Sequence, residues 1–374
     1  MDFFKFFAKE HNTLLVGGHC SNCKHCFLKQ LGPRIISKYS KEMITVNEFT
    51  ELVNLLDKNA EISLDNTPLY FNAFQYECEK VICFHSKEIL DHPECYKLLE
   101  VLNKYTPNIR KNVTTMLRHL DKPCEELLNK DYAFGLSITS LDVNERVKFS
   151  YGKDPELDIR NIKEFLVKFK NQFTAISVLF TGDLTSFKKT IDFVRDNMRE
   201  KDTYLNIHRL TTTKYTTDKK IVEMSEIANT NFDLAIDCAV ESFKNKNNFI
   251  FAYGSLRIPQ YRERILNKFD KSMDTVLSNI IKKGISPKDV GFVTTEMLVD
   301  IAKINYPKLN WITLKNEYFG GNIFAYALFT FEDVLSAIKN YPYKWYALSK
   351  SILCPGTDFD LLGNKTQENF IFDL

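Results

Sequence analysis

Val16-Gly17-Gly18-His19-Cys20-Ser21-Asn22-Cys23-Lys24-His25-Cys26-Phe27 follows a short apolar run, Thr13-Leu14-Leu15-Val16, and its reading decides the architecture. The run has the make-up of a buried strand, so three thiols within seven residues leave the end of that strand on a loop. Cysteines at i, i+3 and i+6 on such a loop can turn three sulfurs toward one point. Gly17 and Gly18 permit the backbone conformations that the wrap requires. A soft, thiolate-rich, tetrahedral site selects zinc or iron–sulfur. Three close thiolates without a fourth imply either a cluster with one iron left open or a zinc completed by His19 or His25.

The plain alternative is three buried thiols acting as small hydrophobes. Ser21, Asn22, Lys24 and His25, interleaved among them, are poor core residues and argue against it. A zinc ribbon pairs one CxxC with a second, and no second one follows. The remaining cysteines are Cys78, Cys83, Cys95, Cys124, Cys238 and Cys354. The spacing of the first three is irregular, and packing is the expected fate of each. Cys354, in Leu353-Cys354-Pro355-Gly356, and Cys238 are the candidates for a second metal, with packing again the commoner outcome. An odd total of nine, without a secretory leader, points to a reducing, cytoplasmic setting.

The 374 residues suffice for one large domain or two ordinary ones. Lys and Arg number 50 against 48 Asp and Glu, so no overall basic field exists to hold a nucleic-acid backbone. The basic segments Lys214 to Lys220 and Arg257 to Arg264 read as solvated faces. Thirty Phe and 17 Tyr predict an aromatic-rich interior. The aromatic start, Met1 to Glu10, is broken by charge and reads as a helix on the core, and no apolar run is long enough to cross a bilayer.

Beyond the Cys loop, Thr45 to Lys58 has apolar residues at helical spacing, with Thr45 and Asn47 as caps. Pro68 to Phe74 reads as a strand, Tyr96 to Tyr105 as a helix and Ile109 to Thr115 as a short strand. A regular alternation follows: strand Tyr132 to Thr139, helix Asp158 to Lys170, strand Thr174 to Phe180, helix Leu184 to Met198, strand Tyr204 to His208. Such alternation builds parallel sheets with helical crossovers. The fold class is therefore α/β, with a partial or complete β/α barrel over residues 1–245 and a smaller C-terminal α/β domain over 246–374. In a barrel, ligands sit at the carboxyl ends of the strands, which is where the Cys loop leaves. His208, ending a strand, is a candidate pocket residue or a satisfied core histidine.

A β/α alternation whose first strand feeds a three-cysteine loop resembles the radical S-adenosylmethionine superfamily. The resemblance implies that Cys20, Cys23 and Cys26 hold a [4Fe-4S] cluster and that S-adenosyl-L-methionine chelates its open iron. Reductive cleavage would give a 5′-deoxyadenosyl radical that abstracts hydrogen from a substrate. It further implies oxygen sensitivity, a flavodoxin- or ferredoxin-type electron donor, and a substrate that includes peptides among its candidates. The loop departs from the family's spacing, with two residues in both gaps. Asn72-Ala73-Phe74-Gln75 stands where a Gly-Gly-Glu stretch is expected, which makes Asn72 and Gln75 the implied cofactor contacts there. Ser137 and Thr139 at the fourth strand would meet the ribose, and Thr181 after the fifth the adenine. The tail, Trp311 to Gly321 with Leu328-Phe329-Thr330, resembles the C-terminal domain of uncharacterised clostridial and cyanobacterial members. The alternative class is a zinc- or iron–sulfur-binding scaffold with a degenerate version of this fold.

Overall fold

A computed structural model describes residues 4–5, 8–9, 12–18, 23–24, 30, 43–64, 69–72, 81–84, 88–117, 120–149, 154–199, 203–246, 249–252, 258–320, 329–353, 358, 360 and 364–372. The described strands of the first part are β1 (Thr13–Leu14), β2 (Ile62–Leu64), β3 (Leu69–Asn72), β4 (Val81–Phe84), β5 (Lys111–Thr115), β6 (Tyr132–Ile138), β7 (Phe173–Phe180), β8 (Tyr204–Arg209) and β9 (Phe249–Ala252). Among them β1-β2-β5-β6-β7-β8-β9 make one sheet in that order, every pairing parallel. β3 and β4 form a separate antiparallel hairpin inserted after β2.

This corrects one expectation. The second strand of the sheet is Ile62–Leu64 and not the Pro68 to Phe74 run, which supplies the hairpin instead. The large sheet ends at β9, which pairs with β8 from Phe249 to Ala252.

Helices α1 (Val46–Asn54), α2 (Cys95–Tyr105), α3 (Lys122–Leu127), α4 (Val143–Phe149), α5 (Pro155–Lys168), α6 (Leu184–Asn197), α7 (Lys219–Thr230) and α8 (Phe232–Phe243) fill the crossovers. α1 begins where the sequence places it, on a Thr45–Glu48 capping box. Strands in sequential order joined by right-handed crossovers carry their helices on one face. The side chains follow suit. Phe134, Leu136 and Ile138 of β6, Ile176, Val178 and Phe180 of β7, and Leu205 and Ile207 of β8 are buried with the helices in one core. Phe165 of α5 meets Phe134 edge-on at 4.9 Å, and Phe187 of α6 meets Phe180 at 5.2 Å. Alternate residues, Gly135, Ser137, Ala175, Ser177, Asn206 and His208, turn to the opposite face and stay half-exposed.

A second parallel sheet, order β11-β10-β12-β13, is built from β10 (Val290–Thr295), β11 (Asn310–Leu314), β12 (Trp345–Leu348) and β13 (Phe370–Phe372). Helix α9 (Pro259–Lys282) covers one of its faces through Met273, Val276 and Ile280. α10 (Val299–Asn305) joins β10 to β11, and α11 (Phe331–Ile338) covers the other face through Phe331, Val334 and Ile338.

At the amino end of the large sheet Lys111 is fully buried, its ammonium donating to the carbonyls of Thr106 (2.8 Å) and Ile109 (2.9 Å). Burial lowers its pKa, and the two carbonyls offset the cost of holding the charge there. Lys111→Met leaves those acceptors without their donor and is expected to lower stability by about 2 kcal/mol. The check is a fall in the urea midpoint at unchanged slope.

Candidate functional site

The carboxyl rim of the large sheet begins at Gly17 and Gly18, whose φ angles of 66° and 73° place both in the left-handed region. Two such residues in succession turn the chain sharply away from β1, and only glycine does so without a Cβ penalty. The Ile44 amide donates to the Val16 carbonyl at 3.0 Å, closing the other side of the turn. Of the loop that follows, Cys23 and Lys24 are described. Cys23 is buried, with its sulfur 3.6 Å from the Met116 sulfur just beyond β5. The Lys24 amide donates to the carbonyl of Phe149, the last residue of α4, at 2.9 Å. The middle of the cysteine loop therefore sits over the carboxyl ends of β5 and β6.

The loops leaving the strands start their helices on aspartates. Asp142 accepts from the amides of Asn144 (3.0 Å) and Glu145 (3.2 Å), Asp183 from Thr185 (2.9 Å) and Ser186 (3.0 Å), and Asp218 from Lys220 (3.0 Å) and Ile221 (3.4 Å). Hydrogen bonds from the Glu145 amide first, with those of Lys189 and Asn144 adding, hold Asp142 below the usual carboxylate range. Each carboxylate satisfies helix-end donors and complements the dipole.

Between α4 and α7 a cleft of about 940 Å³ opens on this rim, with Thr181-Gly182-Asp183 as its floor and Lys24, Glu145 and Ile227 among its walls. Glu145 is buried and accepts from the Thr181 hydroxyl at 2.8 Å and from Lys148. Arg146 next to it is buried against Asp158 at 3.5 Å, locking α4 onto α5.

The residues singled out from sequence divide as follows. Cys20, Cys26, Gln75, Cys78 and Cys354, with His19 and His25, lie outside the described residues. Asn72 ends β3 in the hairpin, so it does not stand at the end of the sheet's second strand as the sequence reading assumed. Ser137 lies on the open face of β6, in register with Ser177 of β7, which pairs in turn with Asn206 of β8. The Asn206 amide donates to the Ser177 hydroxyl at 3.4 Å. Thr139, just past β6, and Thr181 are both buried. Among the described residues no group of three or more metal-ligating side chains converges. Cys95 is buried, and desolvation pushes its thiol up to about 11, so it stays protonated.

Sequence reasoning missed Glu145, Arg146 and Asp218. The sequence does hold a signal for one of them, since Asp218 precedes a run of helix-forming residues in N-cap position.

Gln30, four residues past the last cysteine, is anchored on the loop after β8. The Thr213 hydroxyl donates to its carbonyl, and the Thr216 hydroxyl to its side-chain oxygen at 2.6 Å. The same loop carries the small sheet. The Lys214 amide donates to the Phe319 carbonyl (2.7 Å), and its ammonium donates to the Glu317 carbonyl (3.0 Å) beside the rings of Tyr215 and Tyr318. Asp333, at the start of α11, holds that segment by accepting from the amides of Glu317 (2.8 Å) and Tyr318 (2.7 Å).

No family model and no curated protein matches the chain. Three solved structures of SuiB from Streptococcus suis are similar to it. The one bound to precursor peptide SuiA has 13% identity and a TM-score of 0.41, covering 68% of this chain and 50% of that one. The one bound to S-adenosylmethionine has 14% identity and a TM-score of 0.40, covering 64% and 49%. A third SuiB structure has 14% identity and a TM-score of 0.39, covering 64% and 48%. The chain spans about half the length of SuiB. At TM-scores below 0.5 the likeness decides nothing about the site.

Two outcomes follow from this geometry. Gly182 has φ +105°, and a Cβ there would lie 2.9 Å from Ile227 Cγ2. Gly182→Ala is thus strained and crowded at once, and it is expected to lower stability by about 2–3 kcal/mol and to expose α7 to hydrogen exchange. His208 lies deep on the open face, and desolvation lowers its pKa from 6.5 to about 4. Between those values the unfolded chain binds a proton that the folded one does not. Stability present in full above pH 6.5 is therefore lost as pH falls toward 4, by roughly 2–3 kcal/mol. His208→Gln is expected to flatten that limb of a pH series of melting curves.

Proposed function

We propose that this chain is a radical S-adenosylmethionine enzyme of the cytoplasm, its seven-stranded sheet curled into a partial barrel. The observation that carries the reading is a CxxCxxC loop leaving the carboxyl end of the first strand of a sequential parallel sheet, with Cys23 held at the rim. The donor set fits the group: three thiols within seven residues, the described one buried beside the Met116 sulfur, suit iron–sulfur ligation. Cys20, Cys23 and Cys26 would hold a [4Fe-4S] cluster, which supplies the one-electron reduction of the sulfonium, with a flavodoxin- or ferredoxin-type protein as donor. Held by these three residues, the cluster would supply one electron to S-adenosylmethionine, and the pair would provide hydrogen-atom abstraction from the substrate.

The chain's own residues orient the parts and exclude water. Thr181 and Gly182 line the cleft and would hold the adenosine, with Glu145 fixing the Thr181 hydroxyl. Ser137 and Thr139 line the way from the rim to the open face. The substrate rests on the open face, where His208 stays uncharged and serves as a hydrogen-bonding wall.

Protein purified without oxygen should be brown, carry about four irons per chain, and release 5′-deoxyadenosine from S-adenosylmethionine under a strong reductant. Cys23→Ala should lose the iron while leaving the fold largely intact, read as an unchanged far-ultraviolet circular dichroism spectrum. Colourless protein with one zinc, or undiminished iron in the variant, would overturn the assignment, the zinc result in favour of a non-catalytic scaffold.

A further inference from the structure

The face of the large sheet that turns away from the helices carries no charged side chain on strands β5 to β8. β5 to β8 hold two charged side chains among their residues, Lys111 and Arg209. Lys111 is folded onto the Thr106 and Ile109 carbonyls, and Arg209 reaches Asn229 of α7 at 2.6 Å across the ring of Phe232. Both belong to the helix side. The open face instead presents Thr114, Ser137, Ser177, Asn206 and His208, all half-exposed. Gly135 and Ala175, paired beside Thr114 in the next row, leave room above the sheet.

Ser137, Ser177 and Asn206 stand in one register row across three strands. Hydroxyl, carboxamide and neutral imidazole each both donate and accept. Among the described residues of these strands no cation turns to this row, so an anion placed here would lose its hydration without one of them to replace it, whereas an amide would find partners for its N–H and its C=O. The rim adds a second argument. Helix starts at the carboxyl ends of parallel strands commonly bind phosphate, yet here Asp142, Asp183 and Asp218 already occupy those donors. From β5 to β8 the face measures about 14 Å at ordinary strand spacing, the reach of about four extended residues.

Resting on the radical reading above, we propose that the substrate is an uncharged peptide segment laid across this face, its amides meeting Ser137, Ser177 and Asn206, and that phosphorylated molecules are excluded. Specificity then lies in a neutral hydrogen-bonding surface whose requirement is unpaired amide groups.

The test is saturation-transfer NMR on the full chain purified without oxygen. Two pools of acetylated, amidated tetrapeptides are compared, one of Gly, Ala, Ser and Asn, the other with phosphoserine in place of serine. The neutral pool should receive transfer and the phosphorylated pool at least fivefold less. Ser177→Asp should abolish transfer to the neutral pool, while Ser177→Thr, which keeps the hydroxyl, should retain it. If the melting curve shows Ser177→Asp unfolded, Ser137→Asp probes the same row. Equal transfer to both pools, no transfer to either, or transfer that survives the aspartates overturns the proposal. The same titration on iron-free Cys23→Ala separates the two readings. Discriminating peptide contact in a protein that never cleaves S-adenosylmethionine sinks the radical chemistry alone, and cleavage without discrimination sinks this proposal alone.

Discussion

Right-handedness of the β-crossover-β connection is the constraint on which the molecule depends. Seven described parallel strands taken in sequential order place every crossover on the same side, so one face of the sheet is packed under helices and the other is half-exposed. The packed face takes the large residues, Phe134, Ile176, Val178, Phe180 and Ile207 among them. The open face takes serine, glycine, alanine and asparagine. The same constraint sends each strand's outgoing loop to one edge, and the cysteine loop, the aspartate caps and the cleft all share that edge. Core and site are two sides of a single topological choice.

The elements legible in the sequence are those whose two faces differ most. In β6, β7 and β8, large apolar residues alternate with small or polar ones, and α5 and α6 show helical spacing with clear starts. β2 was not legible because Ile62-Ser63-Leu64 is too short to show a period, and its pairing with β1 and β5 is a tertiary choice. The richer run at Leu69 drew the strand assignment instead, and it carried Asn72 and Gln75 with it. β9 is four residues long and follows a helix, so its stretch read as a boundary.

α4 escaped for a different reason. Its inward residues are Glu145, Arg146 and Phe149, so two of the three buried positions are charged and the apolar period is broken. Those charges are tolerated because Thr181, Lys148 and Asp158 meet them. α7 was hidden by the basic stretch just ahead of it. In both cases the unread helix is a wall of the cleft, and the local rule is broken where the site is.

The loop from Thr211 to Asp218 adds bonds to distant parts of the chain to its own local turns. Its bonds to Gln30 span 183 and 186 residues, and that from Lys214 to Glu317 spans 103. Contacts of such separation must overcome a large closure entropy before they reward it, and they form late. During synthesis the segment emerges with Gln30 already made and Glu317, 103 residues beyond Lys214, still to be added. The keystone that seats the cysteine loop is therefore set last, and the chain's final third has a stake in the order of its first.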